Sequence, residues 1–135
     1  MSAASALQKA IYERLSGDTA LTALIGGNGV TDRRLAAPTA PLVVIAGIDS
    51  TDHSTATEPG EEHIITLDIW SDAAGHRQVQ VIAAAVRAVL HDAALTLSGH
   101  RLVLLFHRQT RLSRDGKSRF HRAETEFRAV TEPAT

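Results

Sequence analysis

The chain has 135 residues, 44% hydrophobic and 21% charged, with a formal net charge of −1 at pH 7. Mass scaling puts its folded surface at about 6,800 Å² against about 21,000 Å² unfolded, enough burial for a core without covalent staples. The absence of cysteine excludes disulfides, thiolate nucleophiles and Cys-based metal sites, no run approaches the roughly 18 apolar residues of a membrane span, and Met1-Ser2-Ala3-Ala4-Ser5 lacks the basic and apolar regions of a signal peptide.

Leu7, Ala10, Ile11 and Leu15 recur at helical spacing and predict an amphipathic helix from Ser2 or Ser5 to Leu15. Ser5 with Gln8 has the capping-box form. Gly17 stops this helix, and Asp18 can cap a short second one through Leu21, Leu24 and Ile25. Gly26-Gly27-Asn28-Gly29 then turns the chain; it follows a helix and lacks a Gly-Lys-Ser/Thr ending, so it is a helix stop and not a phosphate loop. Leu42-Val43-Val44-Ile45-Ala46, bounded by Pro41 and Gly47, predicts a strand. Residues 49–60 are polar without periodic apolar positions and read as a long loop.

The next strand runs from about Glu62 to Trp70, with Ile65, Leu67 and Ile69 on one face and Ile64, Thr66, Asp68 and Trp70 on the other. A helix beginning near Asp72, with Ser71 or Asp72 as N-cap, carries the stripe Val79, Ile82, Ala83, Val86, Val89 and Leu90. At about 20 residues it would span about 30 Å. Leu102-Val103-Leu104-Leu105-Phe106 follows a turn at Ser98-Gly99 as the third strand. Asp115-Gly116 signals a hairpin into a fourth strand from about Ser118 to Val130, where Arg122, Glu124, Glu126 and Arg128 form a charged open face. The expected fold is α+β: a four-stranded, mainly antiparallel sheet with two main helices and one short helix packed on one face. It forms a single domain over residues 1–131, with a frayed tail over 132–135.

Charge is segregated along the chain. Asp49, Asp52, Glu58, Glu61, Glu62, Asp68 and Asp72 occur without an intervening Lys or Arg. Between Arg101 and Arg128, by contrast, eight basic residues face Asp115, Glu124 and Glu126. Two readings are open: strand pairing within one chain, or complementary surfaces between neighbouring subunits.

Candidates for chemistry are weak. The seven histidines (His53, His63, His76, His91, His100, His107 and His121) show no His-x-x-x-His spacing, so no metal site is expected, and no cofactor fingerprint is present. Asp49, Asp52 and His53 imitate an acid/base cluster but lie in the polar loop, without the preorganised geometry catalysis needs. The basic 108–122 hairpin could hold phosphates without reading sequence. Phe120 is its one stacking residue near the tip, so a small nucleic-acid-binding module is the alternative to the reading below.

The ordered segments together resemble the phage tail-completion, or tail-terminator, family. The opening Ala6-Leu7-Gln8-Lys9-Ala10-Ile11-Tyr12 and Leu21-Thr22-Ala23-Leu24-Ile25-Gly26 carry the resemblance, as do Pro41-Leu42-Val43-Val44-Ile45 and His63-Ile64-Ile65-Thr66-Leu67-Asp68-Ile69-Trp70-Ser71. The closing matches are Gly99-His100-Arg101-Leu102, Asp115-Gly116-Lys117 and Glu126-Phe127-Arg128-Ala129. The family occurs in siphophage-like tails and in bacterial gene transfer agents.

The resemblance implies a structural subunit, not an enzyme, that forms a homohexameric ring on the last ring of the tail tube. Its implied partners are the major tail tube protein, the head-side connector or stopper, and DNA passing through without sequence-specific recognition; no membrane is involved. The implied location is the bacterial cytoplasm during assembly and then the neck of the particle. The candidate subunit or tube interface comprises Asp49, Asp52, His53, Glu58, Glu61 and Glu62 on the acidic side. On the basic side it comprises Arg111, Arg114, Asp115, Lys117, Arg119, Arg122, Glu124, Glu126 and Arg128.

Overall fold

The computed structural model describes residues 1–27, 29–32, 41–72, 76–114 and 120–134. Helix α1 (Ala3–Ser16) opens on Ser2, whose Oγ accepts from the Ser5 N–H at 3.1 Å. Gln8 makes no capping box and donates instead to Asp32 Oδ2, at 3.1 Å. Helix α2 (Thr19–Ile25) is capped by Asp18, whose Oδ2 accepts from the Leu21 N–H at 2.9 Å, and ends at Gly26 with φ +85°.

The sheet differs from the expected one. Among the described residues it is six-stranded and mixed, in the order β1-β2-β3-β6-β5-β4: β1 (Val30–Thr31), β2 (Leu42–Asp52), β3 (Glu61–Ser71), β4 (Thr96–Leu97), β5 (His100–Arg114) and β6 (His121–Pro133). The four-stranded, mainly antiparallel sheet is therefore corrected to a six-stranded, curled mixed one, within an α+β architecture that has three helices. The two extra strands have two residues each, too few for any periodicity to register, and β1 runs parallel to β2.

Helix α3 (Arg77–Leu90) has 14 residues and so spans about 21 Å. It follows His76, not Ser71 or Asp72, and His76 makes no side-chain capping bond. Ser71 ends β3, and its hydroxyl donates to Gln78 Oε1, tying the strand to the first turn of α3. Strand β6 continues through Glu132 and Pro133, and the Ala134 N–H donates to Gly99 O at 3.1 Å.

The helices and one face of the sheet enclose the core. Leu7 and Ile11 of α1, Leu21 of α2 and Val79, Ile82 and Val86 of α3 are fully buried against Ile65, Leu67, Ile69 and Phe127. Each such side chain contributes about 1.5–3 kcal/mol through burial. Burial alternates along β3 from His63 to Ser71 and along β6 from Ala123 to Ala129, as expected for strands with one face on a core.

The long strands carry β-bulges: the register shifts between Ile45 and Gly47 in β2, and between Leu102 and Leu104 and His107 and Gln109 in β5. Each shift resets the inward–outward alternation.

Candidate assembly surface

The pairing registers separate the candidate residues into two ends of the sheet. Asp52 lies opposite Glu61 at one end, and His121 lies opposite both Ser71 and Arg114 at the other. The 11 residues of β3 separate these ends by about 34 Å.

At the first end the expected long loop, residues 49–60, is shorter, because its first four residues are strand. Asp49 and Asp52 belong to β2, Glu61 and Glu62 to β3, leaving residues 53–60 as an ordered turn. The His53 N–H donates to Gly60 O at 2.9 Å and the Thr55 N–H to Glu58 O at 2.8 Å. Asp52 Oδ1 accepts from the Ser54 N–H at 3.1 Å and the Ser54 hydroxyl at 2.6 Å, and these bonds hold its carboxyl below the usual carboxylate range.

At the second end Arg111 and Arg114 lie on β5, both exposed. Asp115, Lys117 and Arg119 lie outside the described residues.

Between the ends, the opposed charges meet inside the chain. Arg128 Nε donates to Glu62 Oε2 at 2.7 Å, which keeps the Glu62 carboxyl below its ordinary pKa. Arg122 lies 3.8 Å from both Asp68 Oδ2 and Glu124 Oε2, and its guanidinium sits 5.7 Å from the centre of the Trp70 ring. Arg108 pairs with Glu126 and Arg101 with Glu132. The row Arg122, Glu124, Glu126 and Arg128 is thus half-buried among cross-strand partners instead of forming an open face. Among the described residues, Asp49, Asp52, Glu58, Glu61, Arg111 and Arg114 enter no ion pair.

One of the seven histidines belongs to the core. His63 is fully buried, with Nδ1 2.7 Å from Ser50 Oγ and Nε2 2.9 Å from Thr131 Oγ1. Burial pushes its pKa down, with His100 in the same direction and Glu61 opposing. The position alternates with Ile65 and Leu67 on the inward face, a signal that was available. Near it in kind is His107, whose Nε2 lies 2.7 Å from Thr110 Oγ1 and whose ring meets Phe127 edge-on at 5.5 Å.

Among the described residues no cluster of three or more His, Cys, Asp or Glu could hold a metal ion, and no helix is long and apolar enough to cross a membrane. Among the described residues of the basic 108–122 hairpin, Arg108 and Arg122 are engaged by carboxylates, whereas Arg111 and Arg114 are not.

The model of the family described as tail completion protein gp17 matches residues 9–132. The chain belongs to that family. A solved chain from the virion of a native gene transfer agent particle superposes with a TM-score of 0.89 at 36% sequence identity, covering 97% of this chain and 98% of that one. No curated protein is significantly similar to it. Tail completion proteins are structural virion components.

Proposed function

We propose that the chain terminates a phage-like tail: six copies close into a ring on the last ring of the tail tube. The ring stops tube polymerisation and offers the head-side connector a docking face. The observation that carries this reading is the near full-length superposition on a chain of a gene transfer agent virion, in a chain of the tail completion family. Size supports it. A 135-residue globule has a radius of gyration of about 14 Å and an equivalent diameter of about 36 Å. Six such spheres in a closed cycle leave a hole of about one sphere's width, wide enough for duplex DNA to pass. A head-to-tail cycle needs two unlike patches on each copy, and the acidic and basic ends of the sheet supply a pair.

Deleting the coding sequence from a particle-producing cell tests this. Heads and tubes that accumulate unjoined, with tubes of irregular length, are expected. Joined particles with tubes of normal length would remove the assignment. The nucleic-acid alternative predicts DNA affinity of the isolated subunit falling steeply with salt; the ring reading predicts none.

A further inference from the structure

Among the described residues, the two long outer strands, β2 and β5, each leave a regular stretch of edge open. Along β2 the near-end positions are taken: Val43 and Val44 pair with β1, and the Val43 N–H donates to Gly29 O. Along β5 they are taken by β4 at His100 and Arg101, by the Asp92 N–H on Leu105 O, and by His91 Nδ1 on the His107 N–H. Beyond the bulges at Ala46 and Arg108 the ladders to β3 and β6 resume in unbroken register, over residues 47–52 and 109–114. No outward backbone bond to these two stretches occurs among the described residues. Inward–outward burial alternation is also lost there: of the twelve residues only Ile48 and Ser113 are not exposed. A Cβ placed on Gly47 meets nothing within 4 Å.

An open, regular edge is a template for another strand, and charge decides which. The β2 stretch carries Asp49 and Asp52 and no base; the β5 stretch carries Arg111 and Arg114 and no acid. Two β2 edges would oppose carboxylates, and two β5 edges would oppose guanidinium groups, both unfavourable. The unlike pairing alone is complementary, and it makes association head-to-tail.

We infer that the 47–52 edge of one copy pairs antiparallel with the 109–114 edge of the next, continuing the sheet from subunit to subunit. This rests on the ring reading and names the contact that closes it. Rotation about a ring axis keeps the same sheet face turned the same way in every copy. Positions 47, 49 and 51 share a face with Thr66, Ile64 and Glu62, and 109, 111 and 113 share that face through Glu126, Glu124 and Arg122. The register that opposes Asp49 to Arg111 then sets Gly47 against Ser113 and Thr51 against Gln109. The free stretches lie at opposite ends of the sheet, so joining them staggers each copy against its neighbour. A closed sheet of tilted strands requires that stagger.

The chain has no cysteine, so introduced thiols report only themselves. The test expresses the full chain in particle-producing cells with G47C/S113C or T51C/Q109C. It compares them with the offset pairs G47C/Q109C and T51C/S113C and with each single variant, oxidises the assembled particles, and resolves the products without reductant. The two matched pairs are expected to give about tenfold more cross-linked product than the offset pairs or singles, because disulfide geometry tolerates little displacement. The products should form a ladder ending at six chains.

Six-copy rings without a ladder from any pair would overturn the edge pairing and leave the ring standing. A ladder running past six would keep the pairing and overturn the six-fold ring. Equal cross-linking by single variants, or bands at the mass of this chain plus a tube protein, would overturn the choice of a second copy as partner. D49R and R111D give an independent check: each alone should reduce the ladder severalfold and the two together restore it, whereas failure of the double variant to recover contradicts the opposition of those residues.

Discussion

Phe127 stands where strand, helix and polar layers meet. It is fully buried on β6, and the His107 ring meets it edge-on. Phe127→Ala removes a large side chain from a close-packed site, and a loss of about 3–5 kcal/mol in denaturant unfolding is expected. His63 makes a different prediction. Its neighbours are the hydroxyls of Ser50 and Thr131, with Glu61 and His100 farther off, and desolvation depresses its pKa. The folded state therefore binds fewer protons than the unfolded one as pH falls, so this group stabilises fully above its unfolded pKa of about 6.5. That stability is lost as pH falls toward and through the lower folded value. His107 is depressed by burial too and acts in the same sense. Denaturant midpoints between pH 7.5 and 5 should fall for the natural chain, less steeply for His63→Gln, and least when His107 is replaced as well. A midpoint that rises on acidification would contradict the buried neutral imidazole.

At the scale of elements, the helix caps and the turn after α2 are the exposed points of failure. Asp18→Ala removes the acceptor for the Leu21 N–H, and a cost of about 0.5–2 kcal/mol in thermal or denaturant unfolding is expected. Gly29 has no room for a side chain: a Cβ there would lie 2.6 Å from Ile25 O and 2.7 Å from Ile25 Cγ1. Gly29→Ala should cost about 1–3 kcal/mol, because backbone must move to admit it.

Element boundaries also show which parts of the fold could be read in advance. β3 and β6 are legible because burial alternates along β3 from His63 to Ser71 and along β6 from Ala123 to Ala129. The sequence predicts only Leu102–Phe106 of β5, which runs to Arg114, since its two bulges break the alternation that would extend it. The polar end of β2 reads as loop for a similar reason: Asp49, Ser50, Thr51 and Asp52 bury neither face, so no apolar period marks them. The two-residue strands exist only through tertiary pairing. Of the candidate surface, the opposed charges were visible, but their division was not. Which arginines meet a carboxylate within the chain depends on strand order, and only Arg111 and Arg114 among the named basic candidates that are described lack an ion pair there.

For the whole molecule, the division of charge separates fold from assembly. Ion pairs such as Arg128–Glu62 and Arg122–Asp68 are partly exposed and each adds roughly 0–1 kcal/mol, so they set strand register more than they hold the fold. The unpaired candidates, Asp49, Asp52 and Glu61 on one side and Arg111 and Arg114 on the other, sit at opposite ends of a sheet about 34 Å long, where one subunit cannot bring them together. The proposed cycle of copies would set these acids and bases against each other at every contact and leave no edge unpaired. Electron microscopy of intact particles, with a map of the head–tail joint good enough to trace this chain, tests that claim most directly. The account predicts six copies around the DNA path between the last tube ring and the head-side connector; the chain found elsewhere in the particle, or at the joint without encircling the path, would contradict it.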